Sequence, residues 1–249
     1  LGDTITEIDR SSTSSMSLTE VKLLLRGRER EPVELKILRG DKTLEMKVAR
    51  ANLTVDPVSY FAQEGTAGVL RIARIASPLL KIVRTDLLPR LIAGDQSLVI
   101  DLRNCQEGTF EEARQFVNLF LRTESIGYLE KAGDKKLFFS SLEEPVLPNT
   151  PLIIWVSQAT MGPAEAVAAV LRESGRARIV GIPTLGLAAQ SEFFALPDGT
   201  SLVLTSGVFC LHSGVRLWGR GVEPDVRVEV EDLSPGAYLK KSKSLLSLP

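Results

Sequence analysis

Residues 1–9, LGDTITEID, alternate apolar and polar side chains, the two-residue period of a strand with one buried face. A serine-rich turn follows, and SLTEVKLLLRG then changes to a helical period. Ser17 is placed to cap that helix, Glu20 completes a capping box three residues on, and Gly27 stops it. PVELKILRG and KTLEMKVAR return to alternation and predict a hairpin ending near Arg50. About fifty residues bury too little surface for an independent core, so this stretch is expected to be an incomplete module.

From Ala67 onward the pattern changes to apolar strands alternating with helices. GVLRIARI, SLVIDLR, PLIIWVS and RARIVGI read as strands, and TFEEARQFVNLFLR and PAEAVAAVLRESG as helices. Such alternation predicts an α/β core with parallel strands and crossover helices. Residues 191–230 then switch to short β runs around PDG and HSG turns. SPGAYLKKSKSLLSLP at the end reads as a peripheral helix or a tail.

Composition narrows the chemistry. Thirty basic and 31 acidic residues leave a formal charge of −1, so nothing in the charge balance recruits nucleic acid or an anionic membrane. Cys105 and Cys210 stand far apart and outside any CxxC pattern, which predicts two buried free thiols rather than a disulfide or a metal site. No cofactor and no metal are expected, and no apolar run is long enough for a membrane-spanning helix. The chain begins at Leu1 rather than Met, inside what reads as folded sequence, which leaves room for a targeting segment upstream.

Several motifs agree in order and spacing. GDTITEID, the capped helix ending LLLRG, VELKILRG, then VIDLRN, LPDGTSLVLT and SGVRLWGRGVEPD together resemble the C-terminal processing peptidases, the tail-specific serine proteases of peptidase family S41 that carry an inserted PDZ domain. The resemblance covers nearly the whole chain. It implies an α/β fold with α+β elements, a mixed-sheet core of the ClpP/crotonase-like type. The implied organisation is the C-terminal part of a PDZ domain over 1–52, the peptidase core over 53–230 and a C-terminal tail over 231–249.

Active members of that family carry a GSASASE-like loop with the serine nucleophile, and aligning its final Glu with Glu165 puts the nucleophile position at Gly162. Their lysine base sits in a TFGKG-like loop, here TLGLA, so Leu187 occupies its place. A further polar residue, usually glutamine, falls at Ser191 with Gln190 adjacent. The family's oxyanion donors map to Pro163 and to the turn of Cys105, Gln106, Glu107 and Gly108, where Glu107 replaces a glycine.

Amide hydrolysis of this kind needs a hydroxyl, a base for its proton and donors for the oxyanion. Gly162 has no side chain, Leu187 has no amine and Pro163 has no N–H. No lysine lies between Lys136 and Lys240 to replace the base. In structural terms, Gly162 followed by Pro163 is a good helix entry, Leu187 reads as a packing residue and Glu107 as a solvated loop carboxylate. A rebuilt triad would have to draw on Ser157 or Thr160, on His212, the one histidine, and on Asp101 or Asp198. His212 is instead expected on the surface of a hairpin.

Three functions follow from these residues. The first is a pseudoprotease that binds peptide or protein C-terminal segments, or acts as a scaffold, with Leu18, Val21, Leu24 and Leu25 as one wall of a peptide groove. The second is a serine-type endopeptidase that cleaves C-terminal tails with an unconventional site. The third is a structural subunit without peptide specificity. The resemblance also implies self-association or pairing with an active relative, and an extracytoplasmic (periplasmic or secreted) location.

Overall fold

The computed structural model describes residues 3–51, 58–61, 68–77, 79–89, 97–196 and 201–246. Its contacts divide the chain into two compact units, Leu1–Val55 and Asp56–Pro249.

In the first unit β1 (Thr4–Ile8) pairs antiparallel with β2 (Ser11–Ser12) and with β3 (Pro32–Arg39), which pairs in turn with β4 (Lys42–Ala49). The helix Leu18–Leu25 carries the expected capping box: Glu20 takes the Ser17 N–H at 2.6 Å and Ser17 Oγ takes the Glu20 N–H at 3.3 Å. Its far end is closed by Arg50, whose guanidinium donates to the carbonyls of Leu25 and Leu24, each at 2.9 Å.

The second unit is built on a six-stranded sheet in the order β16-β13-β12-β8-β6-β5. These strands are β5 (Val58–Phe61), β6 (Gly68–Ile72), β8 (Leu98–Asp101), β12 (Leu152–Val156), β13 (Ala177–Gly181) and β16 (Val226–Arg227). All neighbours are parallel except β5, which closes the edge antiparallel to β6. Every residue of β8 and β12 is buried, which is why both read as continuous apolar runs. The helices Phe110–Val117 and Pro163–Glu173 share one core with Leu70, Ile100 and Ile154. On the other face Val99, Ile153, Trp155 and Val180 pack with Tyr238 of the helix Pro235–Leu246. The segment expected as a peripheral helix or tail therefore supplies a fully buried aromatic ring to the core.

A second, antiparallel sheet runs β11-β10-β15-β14, formed by β10 (Thr123–Lys131), β11 (Lys135–Ser141), β14 (Ala189–Ala195) and β15 (Ser201–Cys210). The two-residue strands β7 (Arg74–Ile75) and β9 (Glu107–Gly108) form a separate parallel pair. Among the elements outside the segments expected from the pattern are the β10–β11 hairpin, the edge strand β5 and the helical stretch Leu79–Leu87. The helix expected over TFEEARQFVNLFLR stops at Val117. Buried Asn118 breaks it, because its Oδ1 accepts from Ser141 Oγ at 2.7 Å and from the Glu143 N–H at 3.2 Å.

Candidate active site

The buried strand β12 delivers the chain to a turn, Ser157–Met161, whose side chains fix it to the end of β8. Thr160 Oγ1 donates to the Leu102 carbonyl at 2.8 Å and accepts the Ser157 N–H at 2.9 Å. Ser157 Oγ donates to the Arg103 carbonyl and accepts the Ala159 N–H at 3.1 Å. Both hydroxyls are thus committed to the backbone. His212 is exposed on its turn, and among the described residues no hydrogen bond joins it to Ser157, Thr160 or Asp101. Asp198, together with the PDG turn, lies outside the described residues. The structure does not bring a rebuilt triad together.

Asp101 has a different task. Its carboxylate takes the Arg103 guanidinium at 2.8 Å through each oxygen, and Arg71 at 3.1 Å. Burial alone would push this carboxyl up, but the Arg103 hydrogen bonds and charge, with those of Arg71, hold it below the usual aspartate range. The Arg103 guanidinium lies over the rings of Trp155 and Tyr238, at 4.8 and 4.6 Å from their centroids.

After the turn comes Gly162, buried, with φ +61° and ψ −124°. That backbone conformation favours glycine, yet the space is open: a Cβ built there would meet only the Leu187 carbonyl oxygen, at 3.9 Å. The fold therefore brings positions 162 and 187 together. Pro163 begins the following helix, where its missing N–H costs nothing. The next three N–H groups are satisfied at once, Ala164 by the Met161 carbonyl at 3.2 Å, and Glu165 and Ala166 by the Gly162 carbonyl at 3.0 and 3.3 Å.

One residue organises both loops. Glu165 is fully buried, and its carboxylate accepts from Thr184 Oγ1 at 2.5 Å and from the N–H groups of Gly186, Leu187 and Gly162 at 2.8, 2.7 and 3.1 Å. Thr184 Oγ1 itself accepts the Val222 N–H at 2.8 Å, so its proton is free for Glu165. Burial pushes the Glu165 carboxyl up, and the four donors oppose that shift. Sequence reasoning used Glu165 as an alignment mark and missed this role. The available signal was its isolation: it is the one charged residue in GPAEAVAAVL, a run otherwise fit only for burial.

Leu187 corrects an expectation. It is 38% exposed rather than packed, because its backbone is pinned from below by Glu165 while its side chain leaves the loop outward. On the other side of the turn Gly108 is held against β7, where a Cβ would sit 2.2 Å from the Ile75 carbonyl oxygen. Glu107 is exposed beside it. Cys105 is buried, and its thiol is pushed up to about 12, chiefly by burial, with the Glu107 charge acting in the same direction. Cys210 is buried and unpaired as well.

A cleft of about 740 Å³ opens next to these positions, lined by Gly108, Phe110, Arg114, Leu129, Phe138, Pro163, Ala189, Gln190 and Ser191 among others. Gln190 and Ser191 both reach it at a β-bulge, where pairing steps from Gln190↔Gly207 to Ser191↔Thr205. The proposed groove wall in the first unit is described only in part: Val21 and Leu25 are half-buried and Leu24 is exposed, while the side chain of Leu18 lies outside the described residues.

Comparison with known proteins places this arrangement. The profile of peptidase family S41 matches residues 67–228. The carboxy-terminal processing protease CtpA of Bacillus subtilis strain 168 is 26% identical over 249 residues, covering 98% of this chain and 53% of its own. The chain spans about half the length of the curated relatives it matches. Among solved structures, the photosystem II D1 C-terminal processing protease superposes with a TM-score of 0.77 at 24% identity, over 99% of this chain and 68% of that one. Mature CPAF gives 0.58 at 15% identity, over 98% of this chain and 75% of that one. The mixed α/β fold is that of these proteases. Among the described residues no helix is long and apolar enough to cross a membrane, and no group of acidic, histidine and cysteine side chains is placed to hold a metal.

Proposed function

The chain belongs to peptidase family S41, and from that premise we propose that it is a carboxyl-terminal processing peptidase homologue that holds extended peptide tails without cutting them. The observation that carries this reading is the meeting of Gly162 and Leu187, a nucleophile position without a side chain opposite a base position without an amine. Pro163 removes the N–H that follows a nucleophile of this kind. Loss of one oxyanion donor alone costs about 2.7–4 kcal/mol of transition-state stabilisation, and in this reading the nucleophile and the base are missing as well. Hydrolysis by Ser157 or Thr160 has no geometric support, since their hydroxyls are spent on the backbone.

What remains favours holding. Glu165 ties the turn carrying Gly162 to the loop carrying Leu187, and the cleft opens beside Pro163. In this reading the first unit is the C-terminal part of a PDZ domain, with Val21, Leu24 and Leu25 beside a strand-addition groove. Partners are tail segments of other proteins, with self-association or pairing with an active relative, and the protein works outside the cytoplasm.

The test uses the purified chain and an unstructured peptide with an apolar end. The wild type is expected to bind it and leave it intact, and a Gly162→Ser, Pro163→Ala, Leu187→Lys variant to gain measurable cleavage. Turnover by the wild type that disappears on changing Ser157 or Thr160, with folding intact, overturns the proposal.

A further inference from the structure

We infer that the cleft beside Pro163 takes an apolar side chain from the interior of an extended peptide and rejects a chain end that bears a free carboxylate. This rests on the peptide-holding reading above and specifies its ligand. Phe110, Leu129, Leu137 and Phe138 supply the apolar wall, and Phe138 is 66% exposed, so its ring is open to a ligand. At about 740 Å³ the space holds a large side chain with its flanking backbone.

Two helix N-termini border the cleft, and such ends ordinarily attract an anion. Here the chain has answered both from within. The helix Phe110–Val117 carries Glu111 and Glu112 in its first turn, and Thr109 Oγ1 takes the Glu112 N–H at 3.1 Å. The helix Pro163–Glu173 has no N–H at its first position, gives its next three to the Met161 and Gly162 carbonyls, and holds the buried Glu165 carboxylate behind them.

The cation in the lining is also occupied. Arg114 forks onto Glu111 at 2.6 and 3.0 Å, and its remaining nitrogen donates to the Ser140 carbonyl at 3.3 Å. Glu107 adds a carboxylate next to Gly108, and its charge reaches the Cys105 thiol under the turn. An entering carboxylate would shed water and find the cation and the helix-end N–H groups already used, with only the neutral Gln190 and Ser191 side chains left to donate, a costly exchange for a charge and a mild one for a neutral amide.

The open hydrogen-bonding capacity is neutral. Among the described residues the side chains of Gln190 and Ser191, both in the lining, engage in no hydrogen bond. The Gln190 amide can donate and accept at once, which matches the C=O and N–H of a peptide that continues past the cleft.

The experiment is fluorescence anisotropy on the full chain with three fluorescein-labelled peptides. One ends in phenylalanine with a free carboxylate, one is the same peptide amidated, and one continues past the phenylalanine by four neutral residues. The amidated and extended peptides are expected to bind at least fivefold more tightly than the free acid. Phe138→Ser, an exposed change, is expected to remove that binding, and Pro163→Ala to narrow the gap by restoring an N–H. Equal or tighter binding of the free acid, lost on Phe138→Ser, overturns this inference and leaves the peptide-holding function standing. Binding insensitive to Phe138→Ser overturns it as well, because the ligand then sits elsewhere. Failure of all three peptides to bind overturns both readings.

Discussion

One oxygen of Glu165, Oε2, accepts the Leu187 N–H at 2.7 Å and the Gly162 N–H at 3.1 Å. Gly162 and Leu187 are therefore joined through a single buried atom. The helix start and the loop keep their register through Glu165, which holds both by their backbone N–H groups.

Replacing Glu165 by Gln tests that tie. A glutamine must turn its NH₂ toward at least one of four inward donors, which leaves buried N–H groups facing each other. The expected loss is about 2–3 kcal/mol of unfolding free energy in a denaturant titration. A variant as stable as wild type would mean that the two loops are held by other contacts.

Gly162→Ser and Gly162→Ala should destabilise equally, by about 1–3 kcal/mol, because the penalty lies in the backbone at φ +61° and not in crowding. Equilibrium unfolding of the two variants decides it. If serine is much worse than alanine, the space around position 162 is smaller than the structure shows. Cleavage by the single Gly162→Ser variant is expected to be nil, since position 187 offers no base.

Much of this was legible in residue patterns. β8 and β12 announced themselves as unbroken apolar runs, and the Ser17–Glu20 capping box was present as written. Gly162 and Leu187 were singled out one at a time, through the family resemblance of ordered motifs. Three things were not legible, for physical reasons. The β10–β11 hairpin carries exposed Leu137 and Phe138 on an edge strand, so its alternation is blurred by the apolar wall it gives the cleft. Exposure of Leu187 depends on its backbone bond to Glu165, a contact 22 residues apart. The docking of Pro235–Leu246 depends on Tyr238 meeting Trp155 and Arg103 from distant parts of the chain, which no local period encodes.

Acid should act on the second unit through Asp101. Its folded-state carboxyl lies below the ordinary aspartate value of 3.8, so the unfolded chain binds the proton more readily. Its contribution is complete above that value and is lost as pH falls through the lower folded-state value. Asp101→Asn should flatten the stability curve below pH 3.8 and cost about 3 kcal/mol at neutral pH, since it leaves the Arg103 guanidinium without its partner. Denaturant midpoints measured from pH 7 to pH 3 for both proteins check the sign. A parallel acid limb in the variant would assign the sensitivity to other groups.

Tyr238 makes the last helix part of the site's support. Its hydroxyl donates to the Val156 carbonyl at 2.9 Å, at the end of the strand that enters the turn, and Trp155 Nε1 donates to Ser242 Oγ of the same helix at 2.8 Å. Tyr238→Phe keeps the ring against Arg103 and should cost about 1 kcal/mol. Tyr238→Ala removes a fully buried ring and should cost about 3–5 kcal/mol. It should also open the buried Trp155 to water, which shifts the tryptophan emission to longer wavelength against the constant background of the exposed Trp218. If Tyr238→Ala leaves both the emission and the unfolding midpoint unchanged, the helix Pro235–Leu246 does not buttress β12.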